Sequence, residues 1–293
     1  MNIKSVISLG LVVLSLGFTA CNTAVDAPKK TGEFSISATQ KVMFAPGNLQ
    51  YQASTKTLRF AENQYDVIGE QNTKISDTYD GWIDLFAWGT GNNPALCITN
   101  SEDENYNSYY RTFTDWGTNK IGEDAANTWR TLTQAEWNYI LFVRPNADKL
   151  FACATVNDVQ GMLLLPDDWT TPASVSFTPS TDKGLVLEGD SAANWRYNNE
   201  GRDNFKHNVY TAAEWTVLEN AGAIFLPAAN YRWGKNYYGD QLSGFYWCAD
   251  LDEADCWPNS YVAYWVNFSA KEIACKYFCD VAMGNSVRLA KDL

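Results

Sequence analysis

Between residues 230 and 283 the chain holds fourteen aromatic residues and four of its seven cysteines, interleaved with Asp, Asn, Ser and Lys. A core does not call for that mixture. A binding surface does: Tyr and Trp give large contact area at low entropy cost, and small polar residues supply adaptable hydrogen bonds. The stretch reads as short strands joined by long loops, with strand candidates at 245–247, 261–268 and, closing the chain, Ser286-Val287-Arg288-Leu289. A ligand face is therefore expected near the C-terminus.

The rest of the composition narrows the class of ligand. The formal net charge is −12. That argues against nucleic acid, whose phosphates call for Lys and Arg, and against docking on anionic lipid. Acidity of this kind keeps an exported protein soluble. The N-terminus reads as a processing signal. Lys4 precedes an apolar run over 6–18 that is too short to span a bilayer, and the run ends Leu16-Gly17-Phe18-Thr19-Ala20-Cys21. A small residue before a cysteine resembles a bacterial lipobox, so residues 1–20 are expected to be cleaved and Cys21 acylated. Cleavage as an ordinary signal near Ala20 is the alternative. Two or more acyl chains suffice for stable anchoring. Asn22 is not the aspartate that retains lipoproteins at the inner membrane, which favours the outer membrane and the cell surface. Residues 21–32 then form a polar tether, and 33–293 form one domain able to bury a core.

Apart from Cys21, the cysteines are Cys97, Cys153, Cys248, Cys256, Cys275 and Cys279. An even number in an oxidising compartment permits disulfides. Cys153 lies among apolar residues and reads as a buried thiol. Cys275 and Cys279 have the spacing of a zinc half-site, but with a single histidine, His207, and an oxidising compartment, no metal and no cofactor is expected.

Along the domain, alternating residues around Phe34 and Ile36, Val42 to Phe44, Leu49 and Tyr51, and Leu58 and Phe60 predict four short strands. Thr133-Gln134-Ala135-Glu136 and Thr211-Ala212-Ala213-Glu214 are capping boxes, each with an aromatic staple (Trp137, Trp215) in the next position. Their glutamates look like a catalytic pair but are accounted for by the helix ends. Apolar strands ending in Pro recur at Leu164-Leu165-Pro166 and Phe225-Leu226-Pro227. Few helices, many short strands and long loops predict an α+β fold with two main helices.

Several of these segments together resemble one family. They are Phe44-Ala45-Pro46-Gly47-Asn48-Leu49, Gly81-Trp82-Ile83-Asp84-Leu85-Phe86, Trp129-Arg130-Thr131-Leu132-Thr133, Leu164-Leu165-Pro166-Asp167-Asp168-Trp169, Phe225-Leu226-Pro227-Ala228-Ala229, Gly244-Phe245-Tyr246-Trp247 and Ser286-Val287-Arg288-Leu289. The chain is similar to lipoproteins of gut-type Gram-negative bacteria built on a C-type-lectin-like domain, a fold shared with formylglycine-generating enzymes and with variable proteins of diversity-generating retroelements. The resemblance implies short antiparallel strands, two main helices and a segment, about 230–283, whose codons an error-prone reverse transcriptase rewrites at adenines. It implies fixed framework at 244–247, Phe268 and 284–289. Cys248, Asp250, Asp255, Cys256, Tyr261, Tyr264, Cys275, Tyr277, Phe278, Cys279 and Asp280 are reachable from Asn codons by adenine changes. Trp257, Trp265, Glu272 and Lys276 are not.

The leading expectation is a surface-displayed binding protein without enzymatic activity, its partner a surface protein or a glycan. The expected ligand residues are Tyr231, Trp233, Tyr237, Tyr238, Asp250, Asp255, Trp257, Tyr261, Tyr264, Lys276, Tyr277 and Asp280. On the strand at 261–268 only one face meets a ligand, and Trp265 and Phe268 are expected to serve the core more than Tyr264 does. A formylglycine-generating-type oxidase would have to draw on Cys248, Cys256, Cys275 and Cys279, yet no neighbouring residue marks a low-pKa thiolate. Calcium-dependent sugar binding lacks its loop motifs, and Asp250-Leu251-Asp252-Glu253-Ala254-Asp255 reads as a solvated acidic loop rather than a calcium site. Glycan binding is left in a calcium-independent form. From the sequence, replacing Tyr261, Tyr264 and Tyr277 together by Ser is expected to abolish binding while the melting temperature holds.

Overall fold

A computed structural model describes residues 32–98, 113–180, 185–187, 195–198, 205–240, 242–253, 256, 261–270 and 272–293. The signal, Cys21, the tether up to residue 31, Asp255 and Trp257 lie outside the described residues. Among the described residues no helix is long and apolar enough to cross a membrane.

The fold is α+β, with short strands in small sheets and few helices. In chain order the strands and α-helices are β1 (Phe34–Ser35), β2 (Lys41–Phe44), β3 (Leu49–Gln52), β4 (Thr57–Phe60), β5 (Trp82–Ile83), α1 (Gln134–Asn138), β6 (Phe151–Val156), β7 (Val159–Leu164), β8 (Leu185–Leu187), β9 (Trp195–Asn198), β10 (Val209–Tyr210), α2 (Ala212–Asn220), β11 (Ile224–Pro227), β12 (Tyr231–Trp233), β13 (Asn236–Tyr238), β14 (Ser243–Leu251), β15 (Val262–Ser269), β16 (Glu272–Ala274), β17 (Phe278–Asp280) and β18 (Ala290–Asp292).

Both capping boxes form. Thr133 Oγ1 accepts the Glu136 amide at 3.2 Å, and the Glu136 carboxylate accepts the Thr133 amide at 2.8 Å. Thr211 and Glu214 do the same at 3.3 and 2.8 Å. Beyond the caps the helices differ. α1 ends after five residues and runs on as a π-helical turn, Tyr139–Val143, whereas α2 holds nine. Glu136 is also an ion-pair partner, because Arg130 donates to both of its oxygens, at 2.9 and 2.7 Å. Burial alone would raise that carboxyl, but Arg130 and the Thr133 amide hold it below the ordinary range.

β6, β7 and β11 pair antiparallel and β10 joins β6 in parallel, giving the order β10-β6-β7-β11. α2 lays Trp215 and Leu218 on this sheet, against Leu163 and Phe225. β1, β2 and β18 form a three-stranded sheet that brings the two ends of the described chain together. β4-β3-β5 form another.

The longest pairing, β14 with β15, is buried on both faces. Tyr246, Cys248, Val266 and Phe268 enter one core cluster with Trp137, Phe44 and Leu226. Trp247 and Ala263, alternating with them, enter a second with Trp88, Trp116 and Val287. A strand has two faces at a period of two, so an aromatic-rich strand lodged between two cores has little surface left for a ligand. Phe268 and Cys153 are core as expected.

The chain's ending departs from expectation. Residues 286–289 make no ladder of their own. Their backbone is divided among unrelated partners: the Leu49 amide donates to Val287 O, the Ala45 amide to Leu289 O and the Trp247 amide to Ser286 O. Val287 and Leu289 are fully buried, and so is Arg288, at 2 % exposure. The Arg288 guanidinium donates to Asn48 Oδ1 (2.9 Å), Gln64 Oε1 (3.0 Å), Ala45 O (3.3 Å) and Phe225 O (2.7 Å). Tyr246, also fully buried, accepts from Asn48 Nδ2 at 3.1 Å and donates to Pro227 O at 2.9 Å. Burial pushes Arg288 down to about 10, so it stays charged at neutral pH on neutral acceptors. Arg288→Ala would strand those acceptors in the core. We expect a loss of about 3–5 kcal/mol, read as a lower urea midpoint.

Candidate ligand-binding face

The hairpin β12–β13 carries four aromatic residues, of which Tyr238 is the most exposed at 47 %. Its strands pair Tyr231 with Tyr238 and Trp233 with Asn236, leaving Gly234 and Lys235 as a two-residue loop. Gly234 sits at φ +55°, the left-handed conformation that such tight turns ask of their first central residue.

Arg232 lies between the two outward residues of β12 and points inward, fully buried. It donates to Leu85 O at 2.9 Å, Gly234 O at 3.1 Å and Leu96 O at 3.2 Å. Its backbone exchanges both bonds with Gly284 at 2.9 Å. A Cβ on Gly284 would meet Arg232 Cγ at 2.3 Å, so this crossing needs glycine. Gly284 thus clamps the hairpin from beneath.

Four rings then form a strip across β13, β12, β14 and β15. Tyr238 and Tyr231 stack at 5.2 Å and 15°. Tyr231 meets Phe245 edge-on at 5.6 Å and 85°. Phe245 meets Trp265 at 4.6 Å and 31°. Tyr238 is 47 % exposed and the other three are half-buried. The Trp265 indole N–H is buried and finds no acceptor among the described residues. The sequence pattern does not single out Phe245 and Trp265 as ligand residues. Alternation along one strand does not reveal that a ring at the margin of a core also shows an edge outside.

The remaining expected residues are scattered. Tyr237 faces Arg232 and donates to Ala229 O at 3.2 Å, its phenol pushed up to about 12 by burial, so it supports the hairpin from inside. Tyr264 lies on the opposite face of β15 from Trp265, packed against the core and edge-on to Phe278 at 6.5 Å. Phe278 is 38 % exposed. Tyr261 packs on the same cluster as Trp265. Trp233 and Tyr277 are half-buried and Lys276 is exposed. Asp280 accepts the Ala282 amide at 2.8 Å in the turn after β17.

Asp250 is engaged within the fold. A register shift between Trp247 and Leu251 bulges β14 and swings Asp250 onto α1, where its carboxylate accepts the Gln134 amide. The first amides of a helix lack partners within it, and Asp250 supplies one. Burial, and then the nearby Glu136, raise this carboxyl. The expected solvated acidic loop is therefore partly strand, with Asp252 buried after it.

Among the described residues the cysteines are free thiols, and no disulfide joins them. Burial pushes Cys248, Cys275 and Cys279 upward, away from thiolate character. These three are also poor positions for unrestricted variation, because each is packed in a core. Among the described residues no three His, Cys, Asp or Glu side chains gather as a metal site.

One buried carboxyl lies close beneath the hairpin. β13 packs on a 3₁₀ turn, Gly69–Lys74, whose Asn72 donates to Asp84 Oδ1 at 2.8 Å while Asn72 Oδ1 accepts the Asp84 and Leu85 amides. Burial raises Asp84 to about 6 despite these bonds.

No protein-family model, curated protein or solved structure matches this chain.

This geometry has two measurable consequences. Between about pH 4 and 6 the folded chain holds an Asp84 proton that the unfolded chain has released, so stability falls as pH rises through that window. Asp84→Asn is expected to remove about 3 kcal/mol of that dependence, measured as the change in urea-derived stability between acid and neutral pH. Tyr261 and Tyr264 touch the two cores, so the triple Ser replacement is expected to lower the melting temperature rather than leave it intact.

Proposed function

We propose that this protein is a ligand-binding lipoprotein on a C-type-lectin-like scaffold, anchored through acyl chains at Cys21 in the outer membrane and displayed at the surface. The observation that carries the binding role is the strip Tyr238–Tyr231–Phe245–Trp265. Aromatic anchors on a rigid support supply most of the energy of a typical interface, and the clamp at Gly284 makes this support rigid. The variable-protein reading comes from the sequence resemblance, with 230–283 as the diversified segment and 284–289 as the framework under it.

A glycan reading without calcium has one specific support: the stacked Tyr231–Tyr238 pair offers an outward ring face of the kind a sugar ring packs on. The oxidase reading has less support, because three of the thiols it would recruit, Cys248, Cys275 and Cys279, are buried and held neutral.

The deciding observation is the DNA flanking the gene. A near-copy of the codons for 230–289 beside a reverse-transcriptase gene, with mismatches confined to template adenines, supports diversification. The mismatches are expected at Tyr231, Tyr238 and their exposed neighbours. Mismatches at Arg232 or Tyr246 would sink the assignment of the face. For binding itself, Tyr231→Ser with Tyr238→Ser is expected to weaken capture by more than about tenfold at an unchanged melting temperature, on whole bacterial cells or on a glycan array run with and without chelator. Metabolic labelling with an alkyne fatty acid tests the anchor, and Cys21→Ser is expected to lose the label.

A further inference from the structure

The aromatic strip is not the only concave or apolar surface. A cleft of about 370 Å³ opens where β2, the residues following α2 and the loop leading to Trp129 meet, and it shares no lining residue with the strip. Its walls include Met43, Phe44, Ile224 and Trp129. Its volume lies in the range of sites that take small organic molecules, and such sites are mostly apolar with a few polar groups that fix orientation.

Those polar groups are of one sign. Asp124 and Glu219 line the cleft, and no Lys, Arg or His among the described residues does. Gln64 also lines it, but its amide is already engaged. Gln64 Oε1 accepts the Phe225 amide at 2.9 Å and Arg288 Nη1 at 3.0 Å, and Nε2 donates to Glu219 Oε1 at 2.9 Å and Ala223 O at 3.4 Å. Discrimination therefore falls to the carboxylates. Asp124 is exposed at the cleft, and its Oδ2 accepts the Trp129 indole N–H at 2.9 Å, which fixes the carboxylate beside the Trp129 wall. The buried Arg288 guanidinium faces Glu219 from behind Gln64 and offsets part of its field, so Asp124 carries more of the selection.

We propose that this cleft binds a small amphipathic organic cation, its ammonium head held by Asp124 and Glu219 and its apolar body laid against Met43, Phe44 and Ile224. Charge complementarity chooses the occupant. A neutral ligand of the same shape would gain the apolar contacts alone, and an anion would meet two like charges. The site is independent of the ligand face proposed above.

The test uses the full chain carrying Cys21→Ser, which avoids detergent and alters none of the described residues. Three probes of matched shape are titrated calorimetrically: 2-phenylethylammonium, 2-phenylethanol and 3-phenylpropionate. The ammonium is expected to saturate the site in the sub-millimolar range, with the alcohol weaker by at least about tenfold and the carboxylate not binding. Asp124→Asn with Glu219→Gln, both isosteric, is expected to bring the ammonium down to the alcohol's affinity. Of the single changes, Asp124→Asn is expected to cost more. Met43→Trp, which fills the cleft, is expected to abolish binding of ammonium and alcohol together, whereas Tyr231→Ser with Tyr238→Ser leaves both unchanged. Equal affinity for ammonium and alcohol would overturn the charge assignment, and no saturable heat with the ammonium would overturn the site.

Discussion

The buried guanidinium of Arg288 holds this architecture together. It is shut off from solvent, and it donates to four oxygens from three regions distant in sequence: Ala45 and Asn48, Gln64, and Phe225. Each acceptor would otherwise be a buried polar group short of a donor, and such groups are costly. Asn48 then passes the network to Tyr246, and Tyr246 to Pro227. The start of the domain, the end of α2's sheet and the doubly buried β14 are thereby fixed to the last residues of the chain. Small sheets with little area of their own gain register from such a node where long ladders are lacking.

Two further buried arginines repeat the device. Arg144 donates to Asp167 at 3.0 Å and to Leu165 O at 2.9 Å, pinning the turn after α1 to the end of β7. Arg232 gathers the carbonyls of Leu85, Gly234 and Leu96. Arg suits this work because its planar fork offers five donors in fixed directions. For the proposed ligand face the last case matters most. The hairpin is held from inside by Arg232 and Tyr237, so Tyr231 and Tyr238 stand outward without having to order themselves when a ligand arrives, which lowers the entropic cost of binding.

The two faces of β14–β15 explain why the aromatic wealth of the C-terminal quarter yields so small a surface. Tyr246, Trp247 and Phe268 are enclosed, while Tyr261 and Tyr264 each lean on a core. Phe245 and Trp265 are half-buried. The aromatic content reflects a doubly covered strand pair as much as a binding surface.

What the sequence determined by itself is what depends on near neighbours. Both capping boxes, their Trp staples, the four opening strands and the apolar strands ending in Pro are set by residues within a few positions of one another, and they are present where the pattern puts them. The buried Cys153 was legible for the same reason. Tertiary structure alone decided the rest. Nothing within reach of Asp250 in sequence shows that a bulge delivers it to the first amide of α1, 116 residues away. Nothing near Arg288 shows that it is core rather than the exposed position of a strand. Tyr264 and Trp265 look alike as strand aromatics, and only the packing of the sheet between two cores separates them. A side chain's role at such positions is set by its non-local partners, and those exist only once the chain has closed on itself.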